Sequence, residues 1–75
     1  MASNNEQTLL KTFGKRVAEV RKRRGITQQQ LAEDVGMSTV AIAYIETGKR
    51  WVRLSTLHKI ARSLRVSVDE LFKGL

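Results

Sequence analysis

The segment from Ser38 to Arg50, STVAIAYIETGKR, sets hydroxyl, phenol and small apolar groups at helical spacing and ends in two cations. At 100° per residue, Ser38, Ile42 and Ile45 fall on one side of a helix, and Val40, Ala43, Tyr44 and Thr47 fall on the far side. With Thr39, that far face holds no charged residue, although helix faces in water usually carry Lys and Glu. Its chemistry is noncovalent: Thr39 and Tyr44 donate or accept hydrogen bonds, and Val40 and Ala43 permit close apolar approach. Lys49, Arg50 and Arg53 follow at once, so a neutral face is bordered by positive charge.

Residues for bond-making chemistry are missing. There is no Cys, and His58 is the only imidazole, which removes thiolate or His-cluster metal sites and leaves no nucleophile with a base partner. Only Glu33-Asp34 and Asp69-Glu70 are adjacent carboxylates, and neighbours on a helix point about 100° apart. No catalytic residue, metal ligand or cofactor is assigned, and His58 reads as an ordinary helix-surface residue. The chain has 75 residues, 14 Lys+Arg against 7 Asp+Glu, and a net charge of +7. That balance favours an anionic partner, either nucleic acid or an acidic membrane surface. No apolar run approaches the roughly 20 residues that cross a bilayer, and MASNNEQT lacks the basic-then-apolar order of a secretory signal. A cytoplasmic protein without a membrane partner is expected, and the apolar stripe of the basic first helix is needed for a core rather than for lipid.

The elements that hold the neutral face are helical throughout. Leu10, Phe13, Val17 and Val20 recur at steps of three and four, Ser3 and Glu6 fit a capping box, and Gly25 stops that helix. Thr27-Gln28-Gln29-Gln30 fits a second capping box, opening a helix with Leu31, Ala32 and Val35 inward. Gly36 makes the tight turn, Ser38 caps the third helix and Gly48 closes it. Leu54, Leu57, Ile60, Ala61 and Leu64 mark a fourth helix. Ser67-Val68-Asp69-Glu70 is a further capping box, opening a short fifth helix with Leu71 and Phe72. The expected fold is all-α, a compact five-helix bundle containing a helix-turn-helix, in one domain over 1–75 with a tail of about 1–7 and a core of about 13–72.

Helix, glycine-containing turn and second helix form the helix-turn-helix arrangement, with Ala32 small at the crossing and Ile42 and Ile45 rooting the second helix. RKRRGITQQQLAEDVGMSTVAIAYIETGKR followed by LSTLHKIARSLRVSVDELF resembles the phage repressor/Cro-type (Xre-like) helix-turn-helix regulators, which include small restriction–modification controllers. Gln28-x-x-Leu31-Ala32, Gly36, Ile45-Glu46-x-Gly48 and Leu64-x-Val66 are jointly specific. The chain departs from the pattern at Val52-Arg53, where the family commonly has Pro and a small hydroxyl residue before the fourth helix.

The resemblance implies a sequence-specific regulator of transcription bound to double-stranded DNA, with the third helix in the major groove. Thr39, Val40, Ala43 and Tyr44 are then expected to read bases. Gln28, Ser38, Lys49, Arg50 and Arg53 are expected on phosphates, Gln28 because the first turn of a helix favours an anion. It also implies an ion pair between Arg21 and Glu46, and a homodimer on a pseudo-palindromic operator at its own or an adjacent promoter. A chain this short gains from self-association, and Trp51, Val66, Val68, Leu71, Phe72 and Leu75 are the expected dimer surface. No small-molecule effector is expected. The alternative is an antitoxin-like or adaptor module that offers the same helix face to a protein.

Overall fold

The computed structural model describes residues 5–75. Its helices follow in the order α1 (Glu6–Arg23), α2 (Gln28–Val35), α3 (Thr39–Glu46), α4 (Leu54–Leu64) and α5 (Val68–Leu71), with no strand among the described residues. The expected Ser3 cap lies outside the described residues. Asn5 is the N-cap of α1, its side chain accepting from the Thr8 N–H at 2.8 Å.

Each turn is fixed by local chemistry. After α1 the chain reverses at Gly25, φ +71°: its N–H donates to the Lys22 carbonyl at 3.0 Å, and the Ile26 N–H reaches back to Arg21 at 3.1 Å. This double closure satisfies carbonyls that a helix end leaves open. Two residues later the Thr27–Gln30 box is complete in both directions, at 2.9 and 3.0 Å. Gly36, φ +74°, turns α2 into α3, and Ser38 caps α3 by accepting from the Ala41 N–H at 3.0 Å.

Leu31, Ala32 and Val35 of α2 join Ile42 and Ile45 of α3 and the Phe13–Val17–Val20 stripe of α1 in one core, and Ala41 of α3 is also buried. Burying each large aliphatic or aromatic side chain contributes about 1.5–3 kcal/mol. Their alignment on one side of α3 is what holds that short helix. Gly14 lets α1 come close. A Cβ there would sit 2.1 Å from the Ile45 carbonyl oxygen and 2.8 Å from the Glu46 carbonyl.

Leu57, Ile60, Ala61 and Leu64 close the core from α4, but Leu54 does not join them and is 81% exposed. It is the first residue of the helix, one turn before the packed stripe begins. Arg53 caps α4 without a side-chain hydrogen bond, while Val52 beside it is buried. The departure from Pro plus hydroxyl thus substitutes an apolar anchor for a side-chain cap. On α5, Ser67 accepts from the Glu70 N–H at 3.4 Å. The reciprocal half of the expected box is diverted: the Glu70 carboxylate takes Arg16 at 3.1 Å and Lys73 at 3.0 Å, and Arg16 Nε donates to the Glu70 carbonyl at 2.7 Å. The two Arg16 contacts fasten α5 to α1. The Lys73 hydrogen bond and charge, with Arg16 and Arg23 behind them, hold the Glu70 carboxyl below its ordinary range.

Candidate nucleic-acid interface

With Ala41, Ile42 and Ile45 buried, the opposite side of α3 is necessarily outward. Val40 is 60% exposed and Tyr44 47%, Ser38, Thr39 and Thr47 are exposed, and Ala43 is half-buried. The face is a short band of threonine hydroxyls, one phenol and small apolar groups, without a carboxylate. Glu46, the one acid on α3, is turned inward.

Glu46 is the hub beneath that face. Its Oε2 accepts from Arg21 Nε at 2.6 Å and its Oε1 from Arg21 Nη2 at 3.1 Å, while Gln28 Nε2 donates to the same Oε1 at 2.9 Å. Arg21 Nη1 donates to the Ile26 carbonyl at 2.8 Å. The last residue of α3 is therefore tied to α1, to the α1–α2 turn and to the first residue of α2. Two parallel N–H···O bonds to one carboxylate fix direction as well as distance. The Gln28 amide, expected on a phosphate, is engaged with Glu46; its position at the start of α2 keeps its backbone N–H in a helix first turn.

At the front of α3, Thr39 shares a shallow groove with Lys22, Thr27, Gln28 and Gln29. The sequence places Lys22 only on the wet side of the first helix, where it adds positive field; its approach to Thr39, like that of Gln29, depends on how α1 and α2 cross. At the far end, Gly48 (φ +75°) reverses the chain against Lys11, whose backbone nitrogen would lie 2.9 Å from an added Cβ. The Lys49 N–H then donates to the Tyr44 carbonyl at 2.8 Å, and Lys49 Nζ lies 5.9 Å from the centre of the Tyr44 ring. Arg50 and Arg53 continue on the exposed side of the same loop.

The expected dimer residues divide. Leu71 is 0% exposed and is a core residue of the single chain, so its assignment to a dimer face is corrected: α5 needs it to seal against α1 and α4. Phe72, Val66 and Val68 are half-buried against that core. Trp51 and Leu75 are about half exposed, the Trp51 ring tilted 59° to the buried Phe13 ring at 4.9 Å and Phe72 meeting it at 5.6 Å. His58 is exposed on α4. Among the described residues no three His, Cys, Asp or Glu side chains gather to hold a metal, and no helix is long and apolar enough to cross a membrane.

A helix-turn-helix family model (HTH_3) matches residues 17–71. The chain is 37% identical over 57 residues to an HTH-type transcriptional regulator of Archaeoglobus fulgidus, covering 76% of this chain and 81% of that protein. It is 34% identical over 62 residues to the transcriptional activator BcrR of Enterococcus faecalis, covering 83% of this chain but only 30% of BcrR. Among solved structures, the restriction–modification controller protein C.AhdI of Aeromonas hydrophila superposes with a TM-score of 0.81 at 35% identity, covering 84% of this chain and 96% of C.AhdI.

Proposed function

The chain belongs to the helix-turn-helix family of transcriptional regulators, a family of regulators and not of enzymes, and from that premise we propose that it binds double-stranded DNA sequence-specifically as a homodimer. The chain spans less than a third of BcrR's length. The observation that carries it is the exposed, uncharged face of α3, rooted from behind by Ile42, Ile45 and the Arg21–Glu46 pair.

A face that senses nucleotide identity needs short groups that admit close approach, since long mobile cations bind any phosphate. Thr39 and Tyr44 supply the hydrogen bonds to base edges, and Val40 and Ala43 meet thymine methyl groups. Ser38, the start of α2 at Gln28, Arg50 and Arg53 hold the DNA backbone around it. Trp51, Phe72 and Leu75, with Val66 and Val68 beside them, form the surface for a second copy. Two copies place two α3 helices on half-sites about 34 Å apart on a pseudo-palindromic operator. The resemblance to a restriction–modification controller supports a role in the cytoplasm at the protein's own or an adjacent promoter.

Selection of bound sequences from random duplex DNA tests this reading. A two-part motif with a one-turn centre-to-centre spacing is expected. Affinity for the selected site should fall by roughly 10³-fold or more between 50 and 200 mM salt. Recovery of no preferred sequence, together with a flat salt response, refutes it in favour of a protein partner for the same face.

A further inference from the structure

The backbone of Lys49, an exposed residue, is fixed by the turn that follows α3. Thr47 Oγ1 donates to the Ala43 carbonyl at 2.8 Å, Gly48 turns with φ +75° against Lys11, and the Lys49 N–H closes on the Tyr44 carbonyl at 2.8 Å. This closure returns the Lys49 side chain toward α3, where its ammonium lies 5.9 Å from the Tyr44 ring centre. A cation at that range is drawn to the electron-rich ring face. The ring is half exposed, so apart from this cation much of it borders solvent.

We propose that Lys49 is a positioning residue for sequence recognition: it holds the Tyr44 ring in one orientation and so sharpens discrimination at the base pair that Tyr44 meets. This inference rests on the assignment of Tyr44 to base reading. A phosphate contact strengthens binding to every sequence alike, because the backbone carries no sequence information. A residue acting through a base-reading ring instead changes preference, and only where the ring touches. The charge remains available to the anionic field of DNA, but its seat over the ring makes it selective.

The test measures binding of the intact protein to every single-base variant of its selected site. Tyr44→Ala is expected to flatten preference at one or two base pairs. Lys49→Met keeps the aliphatic stem and removes the cation; it should reduce discrimination at those same base pairs by about two- to fivefold, the range of an exposed cation–ring contact. Relative preference elsewhere should be unchanged. Lys49→Arg, which keeps a cation over the ring, should retain the wild-type profile, and Arg53→Ala should lower affinity uniformly. In the free protein, the ε-methylene protons of Lys49 should show an upfield ring-current shift that Tyr44→Leu abolishes.

A uniform loss for Lys49→Met with an unchanged profile overturns the proposal and makes Lys49 a phosphate contact. So does the absence of a ring-current shift. If Tyr44→Ala itself leaves the profile unchanged, the base-reading assignment falls and this inference falls with it. If Tyr44→Ala flattens the profile and Lys49→Met does not, only the role of Lys49 is lost.

Discussion

Breaking the Arg21–Glu46 pair should remove a large part of the stability of the domain. The two side chains are 9% and 5% exposed, and their shortest contact is 2.6 Å. Glu46→Leu or Arg21→Met leaves the surviving charge in a site from which water is excluded. Removing one partner of a buried ion pair costs about 3–5 kcal/mol. A folded chain of 75 residues, at roughly 0.05–0.15 kcal/mol per residue, holds only about 4–11 kcal/mol in total. In a domain of this size 1 kcal/mol moves the melting temperature by about 4–8 °C, so a 3 kcal/mol loss lowers it by about 12–24 °C. Thermal and urea unfolding followed by circular dichroism measure the effect directly.

The double variant Arg21→Met with Glu46→Leu separates the charge effect from packing. Replacing a whole buried ion pair by apolar groups is often neutral or stabilising, although the Ile26 carbonyl and the Gln28 amide lose their partners here. The double variant should therefore be less destabilised than the sum of the two singles, with a coupling of at least about 2 kcal/mol. Additive single effects, or singles that each cost under about 1 kcal/mol, would refute the view that these groups act as one buried unit.

Gly14→Ala should destabilise by about 1–3 kcal/mol or more, since its Cβ would meet backbone atoms of Ile45 and Glu46 that move only if α1 and α3 separate; Gly25→Ala, with open space around it, should show only the roughly 1 kcal/mol strain of its left-handed backbone. Urea midpoints compare the two. Arg65 adopts φ +58° at the end of α4, and the Arg24 hydrogen bond there is to its carbonyl, so Arg65→Gly should relieve strain and raise the melting temperature. The Glu70 carboxyl, held low first by the Lys73 hydrogen bond and charge, should titrate below 4.5 in a carboxyl-carbon NMR experiment. Because its folded value is depressed, its contribution is present above 4.5 and is lost as pH falls through the folded value; Lys73→Ala should move the midpoint back up. Tyr44→Ala or Thr39→Ala should cost about 1–3 kcal/mol on the selected site and little on unrelated DNA, in a filter or fluorescence binding assay.

The local chemistry of this chain was legible because it repeats at short range. Phe13, Val17 and Val20 declare α1, the Thr27–Gln30 box opens α2, and Gly36 with Ser38 separates α2 from α3. What stayed hidden depends on residues distant in sequence. Gly14 reads as an ordinary glycine in a helix until the Ile45 carbonyl is laid against it. Glu70 has the spacing of a capping glutamate, yet Arg16, 54 positions away, draws its carboxylate off. Leu71 and Phe72 are equally apolar, and only the docking of α5 decides that the first is interior and the second lies at the edge.

The same contrast governs the neutral face. Periodicity alone separates Val40 and Tyr44 from Ile42 and Ile45, so which side is presented follows from sequence. The direction in which α3 points is set by contacts at its C-terminal end: Gly14 under Ile45, Arg21 and Gln28 on Glu46, and Gly48 against Lys11. A helix of 8 residues is too short to be stable alone in water, so its orientation is a property of those tertiary contacts. Changes there should shift affinity for all DNA by reorienting or unfolding α3, whereas changes at Thr39 or Tyr44 should alter which DNA is preferred. Arg21 and Tyr44 variants, compared at a temperature where both are folded, should differ in this way: loss of affinity with the profile preserved for one, and a changed profile for the other.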